Sequence, residues 1–218
     1  MKKGFIVLIL TSIVCSVYAQ YPANIKKGAY ADLTQLLKNT PTNECLFKFE
    51  KRTDFDIKMV GGNDYKVSTD NDTITRSFIN KKSFAIYDGN SLYINGQFVN
   101  GRKYYCKVEN NKRFLVLKAG IPTMSKYKTL GYNSDMTYAA YPQMGVVGGA
   151  IGGAQLAMIR FSYIIDCKEG TIKVLCKDYV NNLIQNNVDL KKAFDSENEK
   201  DKDNQLVLIK YIEKLNGQ

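Results

Sequence analysis

Two lysines, Lys2 and Lys3, open the chain, and an almost unbroken apolar run follows from Gly4 to Cys15. About a dozen apolar residues fall short of a spanning helix, which needs roughly 20. Val17-Tyr18-Ala19 then places slim side chains where a signal peptidase cuts, so residues 1–19 predict a removed secretory signal. Lipidation of Cys15 is the competing reading. It is disfavoured because Val14 stands where that processing takes Gly, Ala or Ser.

Beyond Gln20 the period of the apolar positions changes several times. Leu33, Leu36 and Leu37 have helical spacing, and Thr40-Pro41 ends a short helix. From Cys45 the period is two: Cys45, Phe47 and Phe49 alternate with Leu46, Lys48 and Glu50, and Ile57 and Met59 with Asp56 and Lys58. Strands are therefore expected there, and again over 65–67 and 73–79, with Gly61-Gly62-Asn63-Asp64 as a turn. Asp88-Gly89 between Phe84–Tyr87 and Leu92–Ile94 is the clearest hairpin signal, and 104–108 with 113–117 repeats it. Residues 161–165 and 171–175 predict a further hairpin. Tyr179, Val180, Leu183 and Ile184, then Leu190 and Phe194, then Leu206 to Leu215, predict C-terminal helices, with a charged loop from Asp195 to Asn204.

Together these elements predict one α+β domain over 20–218. Its centre is an antiparallel β-rich roll, sandwich or partial barrel, with a short N-terminal helix and a helical part from about residue 178 to 216.

Between these parts, 118–158 is loop-rich and glycine-rich. Gly145, Gly149 and Gly153 are four apart, and so are Gly148 and Gly152. On a helix that spacing makes a small-residue stripe that lets another backbone approach. Each glycine also costs up to ~1 kcal/mol of helix stability relative to alanine. A buried or loop segment is therefore favoured over a membrane-inserting or oligomerising one. Tyr138, Tyr141 and Arg160 flank the run, and with Gly145, Gly148, Gly149, Gly152 and Gly153 they form the candidate interaction segment.

Composition narrows the chemistry. The 218 residues contain no histidine, which removes Ser-His-Asp and Cys-His catalysis and histidine-ligated metals. Asp64, Asp70 and Asp72 lack the ligand spacing, central glycine and terminal glutamate of a calcium loop. No carboxylate pair stands out among the 21 acids, so no catalytic, cofactor or metal residue is assigned. Loss of Lys2 and Lys3 with the signal leaves 29 basic residues and a net charge of +8. An anionic membrane surface, a glycan or an envelope protein fits that excess as a partner. The lysines are scattered rather than clustered, which disfavours nucleic acid and makes an ordinary solvated surface the stronger reading of the excess. After cleavage Cys45, Cys106, Cys167 and Cys176 remain, an even count that an oxidising compartment pairs in three connectivities. Small buried thiols are the other reading, because all four fall in strand-like stretches.

The order Gly28-x-Tyr30, Lys51-Arg52-Thr53, Gly61 to Lys66, Asp88-Gly89-x-Ser91-Leu92-Tyr93-Ile94-Asn95, Gly148 to Ala154 and Tyr211 to Asn216 resembles secreted proteins of Bacteroidetes-type bacteria that are grouped only as a domain of unknown function. The resemblance covers nearly all of the chain after the signal. It implies export and a single unit, and it carries no activity. The expectation is an exported periplasmic, outer-membrane-associated or extracellular protein, a non-enzymatic binding or assembly module. A carboxylate-dependent hydrolase of polysaccharide or peptidoglycan is the alternative.

Overall fold

The computed structural model describes residue 22, residues 24–133, residue 136 and residues 149–217. The expected signal at 1–19 lies outside the described residues. Among the described residues nine strands form one sheet: Gly28–Tyr30 (β1), Lys48–Lys51 (β2), Tyr65–Ser68 (β3), Ala85–Tyr87 (β4), Leu92–Asn95 (β5), Tyr105–Asn111 (β6), Phe114–Ala119 (β7), Phe161–Asp166 (β8) and Thr171–Val174 (β9). The helices are Leu33–Lys38 (α1), Asp54–Val60 (α2), Gly96–Val99 (α3), Tyr127–Leu130 (α4), Gly149–Met158 (α5), Lys177–Ile184 (α6), Val188–Asp195 (α7) and Gln205–Asn216 (α8).

The strands run in the order β1-β4-β5-β6-β7-β8-β9, all neighbours antiparallel, and β2-β3 branches off β6 through Tyr65 opposite Tyr105. β1 and β9 end the path without pairing to each other, so the α+β fold is built on an open sheet rather than a barrel. β6 pairs with β5 through Tyr105–Lys107 and with β7 from Val108 onward, and its register shifts between Val108 and Asn110. A bulge there bends the strand where it changes partner.

Strand periodicity divides the core. Leu115 and Leu117 of β7 and Phe161, Tyr163 and Ile165 of β8 enter one cluster with Tyr30, Leu36, Ile94, Cys106 and Leu130. Their neighbours Phe114, Val116 and Ile164 face the other way, onto Val180, Ile184, Phe194, Leu208 and Ile212 of the C-terminal helices. Further along that outer side Ile86, Tyr93 and Tyr105 are covered by Phe47 and Ile79, with Phe49 stacked on Tyr93 at 3.7 Å between ring centroids. Both sheet faces are thus buried, which is why β8 is buried at all six positions, Ser162 and Asp166 included. Asn216 clips the helical layer on: its amide accepts from Phe114 N at 2.9 Å and donates to Phe114 O and Asn110 Oδ1, both at 3.1 Å.

Two expected strands are helical instead. Residues 54–60 form α2 because Thr53 Oγ1 caps the Asp56 N–H at 3.1 Å, Asp54 and Asp56 sit at the positive end of the helix dipole, and Gly61 ends it at φ +67°. The stretch 73–79 turns into a π-helical segment, Phe78–Lys82. Buried Asn95 holds it, its Nδ2 lying 3.0–3.2 Å from the carbonyls of Ile79, Asn80 and Ser83, and Tyr105 OH donates to Ile79 O at 2.6 Å. The Asp88 turn forms as expected, its carboxylate accepting from Asn90 N and Ser91 N at 2.7 Å.

Candidate ligand cleft between α2 and α5

The turn after α2 is the foundation of the cleft. Arg52, only 3% exposed, binds carbonyls of that helix and of the turn after it: Nη1 donates to Gly61 O at 2.7 Å and Asn63 O at 2.8 Å, and Nη2 to Asp56 O at 2.9 Å. Its guanidinium lies 3.9 Å from the Tyr104 ring centroid, and burial lowers its pKa below the usual arginine value. The negative end of the helix dipole and the aromatic face supply what a carboxylate would otherwise give.

Behind this turn lies a buried amide network. Asn63 and Asn100 exchange hydrogen bonds, Nδ2 to Oδ1, at 3.1 and 3.0 Å. Asn63 Oδ1 also accepts from Gly120 N at 3.0 Å, and Gly120 O accepts from Asn100 Nδ2 at 2.9 Å and Tyr163 OH at 2.8 Å. Gly96 is required beside it, since a Cβ there would stand 1.9 Å from Asn63 Nδ2. The loops carrying Asn63, Asn100 and Gly120 therefore form one rigid floor.

Arg160 fixes the second wall. Nη1 donates to Ala157 O at 2.7 Å and Ile159 O at 2.9 Å, at the end of α5. Nε and Nη2 donate to Asp64 Oδ1 at 2.8 and 2.7 Å, and Nη2 also to Gly62 O at 3.3 Å. All five guanidinium N–H groups have acceptors within the protein, so Arg160 is a clamp between α5 and the turn after α2.

Between these walls opens a cleft of about 450 Å³, lined among others by Lys58, Met59, Arg102, Tyr127, Gly153 and Leu156. Among the described residues its charged lining side chains, Lys58 and Arg102, are both cations, and no carboxylate lines it. Phe55, Lys58 and Met59 are spaced i, i+3, i+4 on α2, on the side away from buried Ile57. Phe55 is 71% exposed, Met59 69% and Val60 64%, a large apolar display for a helix of seven residues.

The profile of one protein family matches residues 28–218, a span that includes both walls and the floor of the cleft. The chain belongs to DUF6563, a family of unknown function. No curated protein and no solved structure matches it.

Of the interaction segment expected from the sequence, the DUF6563 fold places Gly149, Gly152 and Gly153 in α5, with Gly153 in the cleft wall. Arg160 holds that wall from within. Gly145, Gly148, Tyr138 and Tyr141 lie outside the described residues. Lys58 and Met59 were not anticipated, because α2 reads as strand, and Arg102, between α3 and β6, belongs to no sequence motif; recognising Thr53 as a helix cap would have put Phe55, Lys58 and Met59 on one stripe.

Cys45, Cys106, Cys167 and Cys176 stand as free thiols in this structure. Cys45 Sγ lies 3.7 Å from Thr69 Oγ1, and Cys167 Sγ donates to Lys112 O at 3.8 Å. Burial raises the Cys106 thiol pKa and pushes that of Cys167 up to about 12. Both pack in the main core cluster as small apolar side chains. Among the described residues, a second cleft between β8 and the start of α8 has Asp203 as its one carboxylate, and a third beside α4 has none. Among the described residues neither is lined by a facing carboxylate pair of the kind that carboxylate hydrolysis uses. No group of three metal-ligating side chains occurs among the described residues.

Proposed function

We propose that this DUF6563 chain is an exported, envelope-associated binding module of a Bacteroidetes-type bacterium, and that it engages its partner through the α2–α5 face. The observation that carries the reading is the exposure of Phe55, Met59 and Val60 beside a cleft whose charged lining side chains among the described residues, Lys58 and Arg102, are both cations. Apolar groups of this size left in water on a rigid floor mark an interaction surface. Export rests on Lys2-Lys3, the apolar run and Val17-Tyr18-Ala19.

Fractionation of expressing cells tests the reading. The mature chain begins at Gln20 by mass, sediments with the envelope and is released by carbonate, whereas a folded F55S/M59S variant stays in the soluble fraction. Retention of the uncleaved precursor in the cytosol, or equal behaviour of the two proteins, overturns it.

A further inference from the structure

We infer that the occupant of this face is the surface of an anionic lipid bilayer, a reading that rests on the binding role proposed above. The apolar groups project rather than enclose. Met59 lines the cleft, but Phe55, one turn earlier on the same stripe, does not and is 71% exposed. A small ligand held in the cleft would leave Phe55 in water, whereas an interface that receives protruding side chains buries Phe55 and Met59 together. Leu156 on α5, 37% exposed, is the apolar counterpart on the opposite wall.

Charge fixes the kind of interface. Lys58 lies on the same stripe as the apolar pair, and exposed Arg102 stands in the same cleft, anchored by Nε to Ile121 O at 3.0 Å. The carboxylates of α2 lie to either side of the stripe: Asp56 pairs with Lys66 at 3.6 Å, and exposed Asp54 begins the helix. Asp64, on the turn below, is neutralised by Arg160. Cations beside protruding apolar side chains match lipid phosphates above an acyl boundary, the arrangement of an interfacial anchor. No helix among the described residues is long and apolar enough to cross a membrane, so the contact described lies in the plane of the surface.

Flotation of the purified mature chain with vesicles of phosphatidylcholine, with and without phosphatidylglycerol, tests the inference. Wild type floats with the anionic vesicles and is released by salt. F55S/M59S loses at least about tenfold in partitioning, because two large apolar groups no longer enter the interface. K58Q/R102Q loses the preference for anionic over neutral vesicles. L206S, at a position 74% exposed on α8, binds as wild type. Unchanged urea midpoints establish that the variants fold. Equal flotation of F55S/M59S and wild type, or equal loss in L206S, overturns the inference. Absence of flotation while envelope retention in cells still requires Phe55 and Met59 overturns the lipid assignment alone and makes the occupant a protein or glycan. Absence of both overturns the binding role as well.

Discussion

Replacing Asn63 by alanine removes the junction of three loops, and the structure sets the cost. Asn63 is fully buried, and its amide makes four contacts: two with Asn100, one from Gly120 N and one to Lys103 O. After truncation Asn100 keeps Gly120 O and Arg102 N as partners, and the Lys103 carbonyl keeps Asn63 N. Gly120 N loses the acceptor it has in the native fold, and an orphaned buried donor costs about 1–3 kcal/mol. With the remaining lost bonds and the void, the total is roughly 3–4 kcal/mol. In urea, followed by far-UV circular dichroism, an m-value of about 2 kcal/mol/M converts that into a midpoint lower by about 1.5–2 M at unchanged slope. N63D separates the two halves of the amide. It keeps the acceptor and turns a carboxylate oxygen toward Asn100 Oδ1 and Lys103 O, which raises its folded pKa above the unfolded value of about 3.9. The native state then binds the extra proton, so N63D is most stable below that unfolded value and loses stability as pH rises through the folded pKa. A midpoint shift under about 0.3 M for N63A, or a pH slope of the opposite sign for N63D, would refute this account of the floor.

Further consequences are open to measurement. R160M removes the clamp between α5 and Asp64, both partners being mostly buried, and should cost roughly 2–3 kcal/mol with early loss of amide-exchange protection over 149–158; unchanged protection there would contradict the clamp. With an aromatic disulfide reagent at mildly alkaline pH, Cys106 and Cys167 should stay unmodified in the native protein and react only on unfolding, because burial raises both thiols; mass mapping that finds them modified in the folded state would be inconsistent with their packing. Hydrogen bonds from Lys177 and Lys202 hold the Glu199 carboxyl at about 2, below its usual 4.5, so its contribution is present above 4.5 and lost as pH falls toward 2. E199Q should flatten that acid limb, modestly and in a salt-sensitive way since the pair is exposed, and an unaltered limb in urea midpoints against pH would discount the contact.

Hairpins and C-terminal helices were legible because their signals are local: Asp88-Gly89 with an Asx turn, two-residue alternation in β7 and β8, helical spacing in α8. The failures share a cause. Ile57 and Met59 alternate like strand residues, but four positions do not distinguish a strand from a seven-residue helix, and what decides is Thr53 at one end and Arg52 on the carbonyls at the other. Residues 73–79 look extended until Asn95, 15 or 16 positions away, supplies the amide that holds the π-helical segment. The cleft floor was illegible for the same reason: Asn63 meets Asn100 and Gly120 across 37 and 57 positions, distances at which no periodicity operates. The glycine-rich segment drew attention by composition, yet among its residues the described wall is Gly153, Leu156 and Ala157, and the most exposed apolar groups beside the cleft, Phe55, Met59 and Val60, come from α2.

The clip at Asn216 also sets an order of events during synthesis. Phe114, Val116 and Ile164 are covered by α6, α7 and α8, so their outer face stays open until residues 205–216 have left the ribosome. Synthesis at about 5–20 residues per second puts roughly 5–20 s between Val116 and Ile212. Throughout that interval the nascent chain lacks the helical layer that covers this apolar face.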